Sequence, residues 1–188
     1  MEASVSSAST SAGNEASFVA STQAAEQVLT FVLGRETYGL DILRVQEIRG
    51  WEPPTQLPQM PHYVKGVINM RGAVIPIVDL RQRFEIGQPT YDDSTVVIIT
   101  KMRATDKIEG KQIEKTIGMV VDGVSDVESV DMQQLQPAPA FSEAGQVGEQ
   151  FIKGLANVAE AQSADDKMII VLNVDALIHQ GIFNQLRH

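Results

Sequence analysis

The chain contains no cysteine, which removes disulfide staples, thiolate metal ligands and a thiol nucleophile together. Aromatic residues are scarce at 5%, too few for the stacked platform that holds single-stranded nucleic acid. Basic residues are outnumbered, giving a formal net charge of −9, whereas a protein that grips a phosphate backbone needs a basic face. The one local excess of base, over residues 101–115, sets five Lys and Arg against three acids and reads as a solvated hairpin. No apolar run approaches the roughly 18 residues of a membrane span. The start MEASVSSASTSAGNEAS lacks the basic segment and apolar block of a secretory signal. A cytoplasmic protein with no nucleic-acid partner and no direct membrane insertion is expected.

The signatures of catalysis are also missing. His62, His179 and His188 show no ligand spacing among themselves. The chain has no Gly-x-Ser-x-Gly elbow, no Walker loop and no Gly-x-Gly-x-x-Gly turn. The carboxylate pairs Asp92/Asp93 and Asp165/Asp166 sit in polar stretches where solvated charge explains them. The expectation is a non-enzyme with no metal, no cofactor and no catalytic residue.

What is present is a core. With 188 residues and 43% hydrophobic content, the chain can bury a sizeable interior. Residues 1–25, rich in Ser, Ala and Thr and charged only at Glu2 and Glu15, read as a disordered tail. The folded domain is expected over 26–188. Strand-like runs lie at 28–33, 38–42, 45–48, 64–68, 73–78, 94–100, 117–121, 124–130 and 168–174, many of them β-branched. Residues 51–61 carry Pro53, Pro54, Pro58 and Pro61, so they form an ordered crossing loop. Asp79 should cap a short helix with Leu80 and Phe84 on one face. Asp175 should cap a C-terminal helix burying Leu177, Ile178, Ile182 and Leu186, with Gly181 weakening its middle. The fold class is mainly β, a pair of lobes divided near Ser94, with few helices and no strong internal repeat.

One stretch stands out, VKGVINMRGAVIPIVDLR over residues 64–81. Its two apolar runs flank Asn69-Met70-Arg71-Gly72, a natural hairpin turn. Arg71 is the oddity. A permanent charge between two buried-looking strands must be paired with a carboxylate, solvated, or offered to a partner. Pro76 within the second run implies an edge or a bulge.

Together with YGLDILRVQEIRG (38–50), IGMVVDGVSDV (117–127), LQPAP (135–139) and MIIVLNVDAL (168–177), that stretch resembles the CheW-like domain family. The order and spacing of these motifs carry the likeness from Glu26 onward. The resemblance implies two five-stranded SH3-like β-barrels around a shared apolar interface. It also implies a non-catalytic adaptor of chemotaxis signal transduction, recruited to membrane-associated chemoreceptor arrays. Its implied partners are the regulatory domain of the histidine kinase CheA and the cytoplasmic tips of methyl-accepting chemoreceptors. An alternative keeps the fold and changes the pathway, to surface motility or second-messenger output. Val45, Glu47, Gly66 and Arg71 fall at positions the family associates with partner binding, with Glu47 and Arg71 expected to pair. Ile42, Val45 and Val97 are expected near a groove between the lobes, suited to an apolar helix face.

Overall fold

Short β-branched runs, punctuated by Gly, Pro and Asp, build strands and little else. In chain order they are β1 (Glu26–Leu33), β2 (Glu36–Asp41), a 3-10 turn (Ile42–Arg44), β3 (Val45–Gly50), β4 (Val64–Met70), β5 (Ala73–Asp79) and α1 (Leu80–Arg83). There follow β6 (Val96–Thr105), β7 (Gln112–Val121), β8 (Gly123–Val130), a 3-10 turn (Glu149–Phe151), β9 (Ile152–Val158), β10 (Lys167–Leu172) and α2 (Val174–Leu177). The computed structural model describes residues 25–105, 110–138, 148–159 and 166–177. Residues 1–24 of the expected tail, residues 106–109 of the expected 101–115 hairpin, and the expected helix positions Ile178, Gly181, Ile182 and Leu186 lie outside the described residues.

Hydrogen bonding sorts the strands into two five-stranded sheets, β8-β1-β2-β10-β9 and β3-β6-β7-β5-β4. A division near Ser94 is therefore incorrect. The second sheet is one continuous insertion, Val45 to Val121, within the first. Only the Ile42–Arg44 turn joins β2 to β3, so no linker in the sequence marks the crossing. Each sheet repeats one pairing pattern: two antiparallel steps, a parallel step, then another antiparallel one. Taken as β8-β9-β10-α2-β1-β2, the first sheet has the topology of the second taken as β3-β4-β5-α1-β6-β7. The two are circular permutations of each other, which hides the repeat from a linear reading.

Both sheets close in the same way. After β3 the chain crosses to β4, where the Thr55 and Val67 backbones exchange hydrogen bonds of 3.0 and 2.8 Å. After β8 it crosses to β9, where Gln136 and Leu155 exchange bonds of 2.9 and 2.8 Å. The proline-rich loop is thus ordered, as its composition predicts, and Trp51 stacks on Tyr91 at 4.5 Å beside it.

Alternation along the strands sorts side chains into three apolar clusters. Val28, Val130, Ala156, Ile169 and Val171 fill the first barrel, and Ile75, Ile77, Val97, Ile99 and Val120 fill the second. The largest cluster lies between the sheets. Leu29, Phe31, Leu33, Tyr38 and Leu40 supply it from one side, and Val78, Ile98, Met102, Ile117, Met119 and Val121 from the other. Stacked rings run through it from Phe31 to Tyr38 (5.9 Å) and on to Phe84 (6.3 Å).

Several local expectations hold and others need correction. Asp79 caps α1 by accepting the Gln82 amide at 3.0 Å, and Leu80 and Phe84 are both buried. Pro76 does not lie on an edge strand, since β5 sits between β7 and β4. The β4–β5 register does shift beside it, between Val64 and Gly66 opposite Val78 and Ile77. Pro76 is tolerated because β7 pairs only with Ile77 to Asp79, leaving the proline amide side unpartnered. The last apolar run, expected to be strand through Val174, ends as β10 at Leu172, and Val174 opens α2. Asp175 is accordingly not the cap but lies within the first turn.

Burial pushes the Tyr38 hydroxyl up to about 12, with Glu36 adding to the shift. Burial, followed by its hydrogen bond to Asp79, also raises Tyr91. Both folded values exceed the unfolded one near 10, so their contribution is full below about pH 10 and is lost as pH rises toward 12. Urea unfolding followed from pH 8 to 11.5 should show the midpoint falling above about pH 10. Tyr38→Phe should flatten that fall, and an unchanged slope would remove Tyr38 as its cause.

Candidate partner-binding surface

The hairpin at residues 64–81 forms as expected, but its turn is shorter. Met70 pairs with Ala73, so only Arg71 and Gly72 make the turn, with φ of +53 and +86. Positive φ at both positions is the type I′ geometry that follows strand twist. Asn69 lies in β4, and its Oδ1 accepts the Gly72 amide at 3.0 Å. Arg71, rather than Asn or Gly, therefore occupies a left-handed position that costs a side-chain residue about 1 kcal/mol or more. It is exposed, and among the described residues no ion pair joins it to Glu47 or to any other carboxylate. The expected Glu47–Arg71 pair is not formed.

Glu47 and Val45 are both half-buried on β3, while Gln46 and Ile48 alternate outward, as the strand period requires. Gln46 is tied across the sheet to the Thr116 hydroxyl at 3.3 Å. Ile42 and Val45 pack against the large cluster between the sheets. Val97 does not join them. It is 4% exposed inside the second barrel, beneath a small hollow of about 50 Å³ bounded also by Arg49, Glu52, Pro53 and Ile68. The cause is parity along β6: Ile98 and Met102 face the shared cluster, so Val97 and Ile99 face the barrel interior.

Gly66 has a structural reason. Its φ is +142, and a Cβ there would lie 2.2 Å from the carbonyl oxygen of Thr55. Gly154 holds the equivalent place in the first barrel, 2.8 Å from the Gln136 carbonyl oxygen by the same construction. Both glycines stand where the crossing chain closes its barrel.

The residue that sequence reasoning missed is Leu43, 88% exposed at the centre of the 3-10 turn. Asp41 Oδ1 accepts its amide at 2.9 Å, and Thr100 Oγ1 donates to the Arg44 carbonyl at 2.9 Å. Ile42 and Leu43 are adjacent aliphatics, and no periodic signal in so short a turn says which one faces out. Ile42, Leu43, Val45 and Glu47 thus form one continuous run from the first crossing into β3. Gly66 and Arg71 lie on the β4–β5 hairpin of the same sheet. Among the described residues no group of three His, Asp or Glu is arranged to hold a metal ion. His62 is exposed, edge-on to Tyr63 at 5.7 Å.

Residues 27–181 match the family model for the CheW-like domain. The chain is 38% identical over 153 residues to a chemotaxis protein CheW of Klebsiella aerogenes, covering 81% of each chain. It is 29% identical over 147 residues to a chemotaxis protein CheW of Bacillus subtilis, covering 76% of this chain and 88% of that one. In structure it resembles the crystal structure of the scaffolding protein TtCheW from Thermoanaerobacter tengcongensis. That likeness has a TM-score of 0.63 at 31% identity, covering 80% of this chain and 85% of the other.

The two closure glycines provide a test of their structural role. Gly66→Ala meets both a positive φ and a fixed carbonyl, and should cost more than about 3 kcal/mol. Gly154→Ala meets only the close approach and should cost less. Denaturant unfolding of both variants would measure the difference. A Gly66→Ala protein as stable as wild type would mean that Gly66 serves only the binding surface.

Proposed function

The chain belongs to the CheW-like domain family, and from that premise we propose that it is a non-catalytic adaptor coupling chemoreceptors to the histidine kinase CheA. The match over residues 27–181, spanning both barrels, is the observation that carries this reading. Among the described residues no helix is long and apolar enough to cross a membrane, so the adaptor would reach the array through its partners. It would bind the regulatory domain of CheA and the cytoplasmic tips of methyl-accepting receptors.

The geometry gives the partners something to hold. Docking needs apolar anchors with polar groups to fix register. The run from Ile42 through Leu43 to Val45 supplies the anchors, and Glu47 and Arg71 supply charges with no ion-pair partner among the described residues. A receptor tip is a helical hairpin, and an apolar helix face would lie along this run. Gly66 contributes by shaping the barrel that carries the Arg71 turn. Val97 acts as core and supports the surface from beneath.

The left-handed Arg71 makes the proposal testable in two directions. Arg71→Asn places the residue type that a type I′ turn favours and should raise stability by up to about 1 kcal/mol. The same change should weaken binding to a receptor cytoplasmic fragment or to the CheA regulatory domain by about tenfold. Titration calorimetry with each partner would read this against a wild-type affinity in the micromolar range, about −8 kcal/mol. Unchanged affinity for both would take Arg71 off the surface. Wild-type protein binding neither partner would overturn the coupling role.

A further inference from the structure

The chain crosses between barrels twice, and each crossing is fastened by one ion pair. At the second crossing, Asp122 Oδ2 lies 2.9 Å from Nε of Arg81 and accepts the Gly34 amide at 2.7 Å. At the first, Arg44 directs Nη1 and Nη2 to the two oxygens of Asp175, at 3.3 and 3.0 Å. Asp175 Oδ1 also accepts the Arg103 amide at 2.7 Å.

The two arrangements are counterparts under the permutation that relates the barrels. Arg81 and Asp175 are each the second residue of the short helix that follows the parallel strand of its barrel. Each faces a residue on the crossing, and the acid of each pair also takes an amide from the hairpin of the barrel to which that helix does not belong. The charges are exchanged, and so is the manner of contact: Arg44 is held through two nitrogens, Arg81 through Nε alone. At one crossing the helix carries the base, and at the other it carries the acid.

What differs is the segment each pair holds. Asp122 alone separates β7 from β8. The first crossing is the three-residue turn Ile42–Arg44, which has no fully buried residue and which presents Leu43. Arg44 is the last residue of that turn, immediately before Val45. Its side chain is 18% exposed, and its guanidinium is gripped in the two-toothed manner that fixes orientation as well as distance, with Asp41 a more distant second acid at 3.7 Å. Remove the acid on α2, and Arg44 keeps only the more distant Asp41 as an ion-pair partner among the described residues.

We propose that Arg44 and Asp175 are positioning residues for partner binding, fastening the Ile42–Arg44 turn so that Leu43 and Val45 meet the partner in one orientation. The proposal rests on the reading that this surface binds the receptor tip. A preset anchor loses less freedom on binding than a loose one. The Arg81–Asp122 pair, which also spans a crossing but makes a single Nε contact and holds no such anchor, is the comparison.

The experiment titrates a receptor cytoplasmic fragment into the full chain and records thermal unfolding of the same samples. Asp175→Asn keeps an acceptor for the Arg103 amide while discarding the charge, and should weaken binding about tenfold. Arg44→Lys keeps the charge, loses the fork, and should weaken it several-fold, so the proposal stays testable if Asp175→Asn fails to fold. Asp122→Asn should lower the unfolding midpoint comparably and leave affinity within twofold. Wild-type affinity in Asp175→Asn or Arg44→Lys would overturn the proposal, as would an equal loss in Asp122→Asn, because the pairs would then act through stability alone. A wild-type protein that fails to bind overturns the coupling role itself, and the positioning role with it.

Discussion

The apolar layer between the two sheets is the constraint on which the rest of the structure depends. Its residues come from alternate positions of strands that also line a barrel on their other face. Burying one such side chain contributes about 1.5–3 kcal/mol, so the layer holds neither barrel as an independent body. β1, β2, β6, β7 and β10 are buried on both faces along part of their length. That is why they read as continuous apolar runs, such as VVIIT over residues 96–100, rather than as strict alternation.

Given that layer, each barrel still has to close, and both use the same device. A segment leaving an edge strand crosses to the other edge and pairs there through a single residue, Thr55 or Gln136. The opposing strand must come close enough for backbone bonds, and a glycine admits the approach. Closure covers strand edges that would otherwise invite other chains. Away from the closed edges, the first crossing presents Leu43 and the β4–β5 hairpin tip presents Arg71.

Much of this was legible from residue types alone. Nine of the ten strands described here follow from β-branched runs, β9 (Ile152–Val158) being the one without such a signal. The Asp79 cap follows from its spacing to Leu80 and Phe84, and the hairpin from its flanking runs and Gly72. The assignment of strands to sheets was not legible, because a crossing of three residues looks like any turn and the repeat is permuted. The inward or outward sense of Val97 also failed, since a strand buried on both faces gives no parity signal. Asp175 reads as a cap in the sequence because an apolar run does not say where strand ends and helix begins. Its true partner, Arg44, lies 131 residues away, and no local pattern reports a contact at that distance. The Glu47–Arg71 pair that the resemblance implies is likewise a long-range contact, and the fold does not make it.

An adaptor does no chemistry, so its output is the relative placement of what it binds. Placement is worth something only if the body between the binding surfaces does not flex. A two-domain protein joined by one linker would flex about that linker, as interfaces of modest size commonly permit. Here the chain passes from the first barrel to the second and back again, and the strands it leaves behind share one core with those it goes on to form. Hinge motion would have to break that core and strain both crossings at once. The ion pairs at the crossings, partly buried and reinforced by amide hydrogen bonds, tie both ends of the insertion to the barrel it leaves. A permuted double barrel is thus suited to transmit position, and the segments free to specialise are the short ones that carry little of the core: the Ile42–Arg44 turn and the Arg71-Gly72 tip.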